Sequence, residues 1–430
     1  MLTQQQYLSF DSMSVQGLLL DVFCKLEREQ IRYCLLRDAD RLEQISQDGG
    51  EIDLLVQGDY IGQFANLVAQ LGFRRLPSRG YAPHHFFVAY DSATDCWLKL
   101  DVVTECVYGH PVKALYTELA ATCLERRRPY GPAYVLAPED EIITLLLHCV
   151  LDKGYISDTR RERLLALCYQ VTDEAYLSSL LSRYWLPTAT WSRLFELISR
   201  EQWPTLINEG RQVRHYLTKR APMATLKRQW SSQFLRKMGR LLHGRSPTTV
   251  SVALLAPDGG GKSTLATRLQ QTFFFPVRLM YMGLYQEDST RLYLASLPGL
   301  RFVWRLLVQW WNYAIARYYQ WRGQLIVFDR YSYDALLRQG QNLNRIRRWK
   351  RWLLGYALPA PDLVLLLDAP GEVLYQRKGE HSPNHLEGQR QQYLSLREWM
   401  PQIIVVDATQ GIEEMRRNVT TLIWQAYLKH

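Results

Sequence analysis

Residues 256–263 are Ala-Pro-Asp-Gly-Gly-Gly-Lys-Ser, set between the apolar run VSVALLA and the segment TLATRLQQTF. A buried strand, a glycine turn and a helix are therefore expected in succession. Gly259, Gly260 and Gly261 open backbone angles closed to other residues, so consecutive N–H groups can turn inward around an anion. Lys262 adds a point charge, and Ser263, with Thr264 beside it, offers a hydroxyl suited to Mg2+. The helix that opens there turns its positive end toward the same place. Phosphate oxygens satisfy all these groups at once. The spacing is that of the phosphate loop, G-x-x-x-x-G-K-[ST], with Ala256 at the first glycine, and it calls for ATP and Mg2+ as cofactors.

Such a loop needs a rigid frame, and the chain supplies candidate strands for one. From Thr248 onward, VSVALLA, QLIVFD, DLVLLLD and QIIVVDA alternate with helical stretches. Continuous apolar strands separated by helices imply α/β architecture, a parallel sheet with helices on both faces. Ahead of it, residues 1–135 read as an α+β domain with strands at EIDLLV and WLKLDVV. Residues 136–245 read as a helical region with a basic linker, opening at Pro138 and a first turn of acids. Residues 246–430 form the phosphate-loop domain.

Four stretches of that last domain, APDGGGKST, LIVFDRYSYD, PDLVLLLDAPGEVLYQRK and VVDATQGIEEMRRNVTTLI, resemble in order and spacing the thymidylate kinase-like branch of the P-loop kinases. The resemblance implies phosphoryl transfer, in which the protein aligns two reactants and neutralises oxygens. It assigns Asp329 to Mg2+ and its water, Arg330 to orienting the acceptor, and Arg377 and Lys378 to the lid that meets the transferring phosphate. Asp258, inside the loop, could direct or deprotonate an acceptor hydroxyl. Asp368, closing LVLLLD, is either a carboxylate behind the metal or a strand end. Two departures bear on the acceptor: VRLMYMGLYQED at 277–288 lacks the family's T-R-E-P-G-type loop, and Asp334 stands at its usual serine position. Thymidylate is not supported as acceptor on these grounds.

Between residues 299 and 356 there are eleven Lys or Arg and two acids, interleaved with Trp and Tyr in LRFVWRLLVQWWNYAIARYYQWRG and RIRRWKRW. Aromatic faces beside cations suit sugars, lipids or bases. Most of these aromatics are nevertheless expected in the core. Arginines at 301, 305 and 317 argue against a membrane span there.

The N-terminal stretch IRYCLLRDADRLEQISQDGGEIDLLVQGDY resembles nucleotidyltransferase-like domains, which hold catalytic metal with two acids one residue apart and a third on a later strand. Glu51 and Asp53 have that spacing, on one face of a strand, and Asp101 in LKLDVV would be the third. The family's Gly-Ser turn is missing, so a fold with weakened or lost catalysis is expected. His84 and His85 are expected as loop or strand residues rather than ligands. The two-domain order resembles bacterial proteins associated with surface polysaccharide synthesis.

The whole chain of 430 residues carries a net charge of +10. Residues 211–245 contain ten Lys or Arg and no acid, which fits either a solvated linker or contact with an anionic membrane surface, with nucleic acid ranked behind. Seven cysteines, all within the first 168 residues and without C-x-x-C pairs, fit reduced thiols rather than disulfides or zinc. The opening MLTQQQYLSFDSMSVQGLLLDVF lacks a secretory pattern. A cytoplasmic protein, peripheral to the inner membrane face if the basic segment meets lipid, is the expectation.

Taken together these features predict a Mg-ATP-dependent phosphotransferase whose partner is a small-molecule phosphate acceptor, with a sugar or glycan intermediate ahead of a nucleoside monophosphate. An ATP-binding regulatory or scaffold module is the alternative, and metal-dependent nucleotidyl transfer by the N-terminal domain the third reading.

Overall fold

The computed structural model describes residues 15–78, 83–242, 249–283, 298–337 and 345–429. The first fourteen residues, the loop at 284–288 and the basic residue at 245 lie outside them. Chain contacts divide the protein into two compact units, Met1–Leu241 and Leu242–His430.

The N-terminal unit is built on strands β1 (Tyr33–Leu35), β2 (Gly50–Val56), β3 (Arg74–Leu76), β4 (His84–Asp91) and β5 (Cys96–Val103), with β6 (Val107–Tyr108), β7 (Leu115–Tyr116), β8 (Arg128–Tyr130) and β9 (Ala133–Val135). Seven of them make a mixed sheet in the order β3-β4-β5-β2-β1-β9-β8, and β6 pairs with β7. Parallel pairing of β2 with β5 sets Asp53 opposite Asp101. Burial alternates along β2 at Ile52, Asp53 and Leu54, so the acids share the wetter face.

The helical stretch that follows shares a core with this sheet: Cys34 and Leu55 pack in one cluster with Leu146, Leu181 and Leu206. Its first helix, Pro138–Leu147, starts as the sequence suggests, with Pro138 and then three acids that turn out to be buried. Glu139 and Asp140 meet Arg126, and Glu141 meets Arg163. The basic segment expected as a linker is helical as far as Leu242, in Trp203–Arg220 and Pro222–Leu242. All seven cysteines are free thiols, six of them buried.

The C-terminal unit has strands β10 (Ser251–Leu255), β11 (Val277–Tyr281), β12 (Leu325–Asp329), β13 (Leu363–Asp368) and β14 (Ile403–Asp407). They form a parallel sheet in the order β11-β12-β10-β13-β14. Ala253 and Leu255 pack with Ile326, Phe328, Ala316 and Tyr393 on one face, and the alternate residues Val252 and Leu254 are equally buried. The predicted α/β architecture is what the chain adopts.

The aromatic stretch behaves differently from expectation. The helix Pro298–Trp321 buries Gln309, Ala316 and Gln320, while Trp304, Trp310, Trp311 and Trp321 are about half exposed or more. Trp349 and Trp352, on Arg345–Gly355, are exposed too. The reason is geometric: a helix docks one stripe on a sheet, and these sequences are aromatic on more than one stripe. Among the described residues, no helix is long and apolar enough to cross a membrane.

Candidate functional site

β10 ends at Leu255 and the chain turns through residues 256–261 into the helix Lys262–Thr272. Gly259 and Gly261 have φ of +83° and +84°, the left-handed region that favours glycine. At Gly259 the requirement is also steric, because a Cβ would lie 2.6 Å from the Leu374 carbonyl oxygen. Lys262 is 8% exposed and donates to the Ala256 and Pro257 carbonyls at 2.8 and 3.1 Å. The side chain curls back over its own turn, because two carbonyls point inward there. Burial, then the nearby Arg330 guanidinium, hold its ammonium below the usual lysine value.

Asp329 closes β12 and lies in register with Leu254, immediately before the loop. Its Oδ1 is buried and has no hydrogen-bond partner. Arg330 follows with φ of +65°, a strained angle for a side-chain-bearing residue, pinned by its N–H on the Leu254 carbonyl at 3.2 Å. Its guanidinium donates to Asp258 Oδ1 at 2.7 Å and stands 4.0 Å from Asp334. Burial opposes the charge on Arg330, and Asp334 and Asp258 outweigh it to raise the pKa. Asp334 is pushed up to about 6, chiefly by burial, against the pull of Arg330 and of the Tyr393 hydroxyl that donates to it at 3.1 Å.

Arg377 and Lys378 end the helix Gly371–Lys378. Arg377 donates to the Ala408 carbonyl at 2.7 Å, and Lys378 pairs with Glu380 at 2.8 Å. Asp368 accepts from Nε and Nη2 of Arg390, at 2.7 and 2.9 Å, which ties the end of β13 to the helix Pro383–Ser395.

Asp258, Gly259, Gly260, Gly261, Lys262, Ser263 and Thr264 line one cavity of about 570 Å³ together with Asp329, Arg330, Arg377 and Lys378. Sequence reasoning missed Tyr281, Gln410 and Met415 on the same wall. Tyr281 could have been found as the last residue of a strand that pairs with Asp329; Gln410 and Met415 carry no signal of their own. The set fits Mg2+ and a nucleotide, since a buried carboxylate oxygen without a partner stands beside a hydroxyl and a cradle of N–H groups.

In the N-terminal unit, one oxygen from each of Glu51, Asp53 and Asp101 lies within 4.8 Å of the others. Each acid already meets a group of its own chain. Arg37 donates to Asp53 at 3.0 Å, Lys99 to Glu51 at 2.8 Å, and His84 Nδ1 lies 2.6 Å from Asp101. His84 is a strand residue, as expected, yet it has this role as well. Two full cations and an imidazole offset three carboxylates, so the donor set converges but has little net charge left for a divalent ion.

No family model matches the chain. It is 32% identical to a protein described as "Probable thymidylate kinase" from Thermococcus gammatolerans, over 121 residues, 25% of this chain and 54% of that relative. The chain thus spans about half the length of the curated relative it matches. Among solved structures it is similar to deoxyadenosine kinase from M. mycoides with the products dCMP and dCDP, at 14% identity and a TM-score of 0.30, over 40% of this chain and 97% of that one. The same kinase with dATP gives 13% identity and a TM-score of 0.30, over 40% and 98%.

Proposed function

We propose that the C-terminal unit is a Mg-ATP-dependent phosphotransferase. The observation that carries this is the unpartnered buried oxygen of Asp329, a residue that lines the same cavity as Lys262, Ser263 and Arg330. The N–H groups of the loop and the Lys262 ammonium bind the phosphate tail, exchanging the Ala256 and Pro257 carbonyls for phosphate oxygens. Ser263 and Asp329 would hold Mg2+, which when bound neutralises phosphate oxygens. Arg330, held at a fixed angle by Asp258 and Asp334, orients the acceptor, and Asp258 accepts its proton. Arg377 and Lys378 neutralise charge on the moving phosphoryl group.

The acceptor is a small molecule presenting a hydroxyl or a phosphate to Asp258 and Arg330. The match to a protein named for thymidylate supports nucleoside monophosphates. A sugar or glycan intermediate is proposed ahead of thymidylate itself from two sequence departures, the missing T-R-E-P-G-type loop and Asp334 at that family's serine position. Phosphate transfer from labelled ATP into nucleoside monophosphates, sugars and glycan extracts, run beside Lys262→Ala, tests the reading. The expected result is one labelled product class, lost in the variant; ATP binding without product from any acceptor would favour a regulatory module instead.

The N-terminal unit reads as a nucleotidyltransferase-like fold with weakened metal chemistry, on the strength of three carboxylates engaged by Arg37, Lys99 and the His84 imidazole. Contact of the helix Pro222–Leu242 with an anionic membrane surface is proposed from its exposed Trp230 and Phe234 beside the exposed Lys227 and Lys237.

A further inference from the structure

A second cavity, of about 330 Å³, lies wholly within the N-terminal unit. The helix Pro138–Leu147 runs into a π-helical turn, His148–Lys153, and three residues of that one turn, His148, Asp152 and Lys153, line the cavity. A π turn gives up regular helical hydrogen bonding, and such turns are frequent at functional sites.

The turn opens with His148. Its Nδ1 lies 2.9 Å from Asp152 Oδ2, and Asp152 is fixed in turn by the Gly109 N–H on its other oxygen at 2.6 Å. An ionised carboxylate only accepts, so Nδ1 carries the proton and Nε2 keeps its lone pair. That Nε2 is buried, has no hydrogen-bond partner, and belongs to a residue only 8% exposed. Burial also holds the imidazole down to about 4, which keeps it neutral and accepting at physiological pH. A buried acceptor left unpaired calls for a donor that the protein does not supply.

Three cations from three separate segments line the same space: Lys153, Lys113, which is 3.7 Å from Asp152, and Arg236, which donates to the Pro111 carbonyl at 2.7 Å. Asp101 lines it too, held by His84. A ligand must therefore bring a hydrogen-bond donor for one end and an anion for the other.

We propose that this cavity is a second small-molecule site, which binds a phosphorylated polyol such as a sugar phosphate, with a ligand hydroxyl donating to His148 Nε2 and the phosphate held by Lys113 and Lys153. The site is independent of phosphotransfer in the C-terminal unit. It binds its ligand as it is, and no bond is made or broken.

Calorimetric titration of the full-length protein, in saturating Mg-ADP to occupy the phosphate loop, tests it with glucose 1-phosphate, ribose 5-phosphate, the unphosphorylated sugars and inorganic phosphate as probes. At least one sugar phosphate is expected to bind with a dissociation constant below roughly 1 mM, more tightly than either its sugar or free phosphate. Lys153→Ala, at an exposed position that does not threaten folding, and His148→Phe are each expected to weaken it about tenfold or more. In a 15N-labelled sample the His148 Nε2 resonance moves on titration with that sugar phosphate. Failure of every sugar phosphate to bind, or binding unchanged in Lys153→Ala with a stationary His148 resonance, overturns the proposal.

Discussion

Two carboxylates five residues apart, Asp329 on the cavity wall and Asp334 buried behind Arg330, should behave in opposite ways when neutralised. Asp329 has a buried oxygen without a partner, and its charge is the part that matters for metal. Asp329→Asn keeps the shape, so ATP binding should stay within about threefold while turnover falls a hundredfold or more; calorimetry and single-turnover transfer measure the two separately. Normal transfer by the variant would remove Asp329 from the catalytic set. Asp334 is different, because burial lifts its pKa from 3.8 to about 6 in the folded protein. In the unfolded chain it ionises near the ordinary value, so between about pH 4 and pH 6 the folded state binds more protons than the unfolded one. Stability therefore falls as pH rises through that window, by about 3 kcal/mol, and stays lower above it. Asp334→Asn removes the dependence. Urea unfolding should show the variant gaining on the wild type from pH 4 to pH 7.5, and a wild type that gains on the variant would reverse the assigned shift.

The loop shows which features of an element a sequence can carry. Gly259, Gly261, Lys262 and Ser263 are contiguous, and so is the Asp-Arg pair at the end of β12, so local spacing was enough to mark them. The curled Lys262, Arg377 tied to Ala408, Asp368 tied to Arg390 and the His148–Asp152 pair within a π turn are set by packing and helix irregularity, which leave no periodic trace. The exposed tryptophans illustrate the converse, since composition shows aromatic residues but not which stripe meets the sheet. Gly259 and Gly261 separate local from tertiary demands. Both have left-handed φ, but a Cβ at Gly261 meets only the Met415 methyl at 3.7 Å, whereas at Gly259 it strikes the Leu374 backbone. Backbone strain alone should cost either alanine about 1–2 kcal/mol. Gly259→Ala must also displace the helix Gly371–Lys378, which carries Arg377 and Lys378. It should melt several degrees below Gly261→Ala and lose more ATP affinity; equal melting temperatures would mean that the helix yields without cost.

Across the molecule, net charge and its placement act where no single contact does. The excess of +10 equals the charge of residues 211–245, and the helix that holds much of it exposes apolar side chains at Met223, Leu226, Trp230, Phe234 and Leu235. Not every cation there is available to a partner: Arg228 pairs with Glu105, and Arg236 donates to Pro111. Lys227 and Lys237 are exposed. Trp230 is 76% exposed beside such charges, and the proposed membrane contact would give it an apolar partner. An anionic bilayer surface takes both, the rings at headgroup depth and the ammonium groups against phosphate. Each surface lysine is worth about 1 kcal/mol at such a membrane, so Lys227→Ala with Lys237→Ala should lower partitioning onto phosphatidylserine vesicles roughly thirtyfold. Trp230→Ala should weaken it further in a way that salt does not mimic. Vesicle co-sedimentation at about 0.1 M and about 0.5 M salt separates the contributions, because the Debye length roughly halves at the higher ionic strength and the lysine share is screened while the ring's is not. Equal sedimentation with neutral and anionic vesicles would return the segment to the solvated reading and leave its charge to solubility alone.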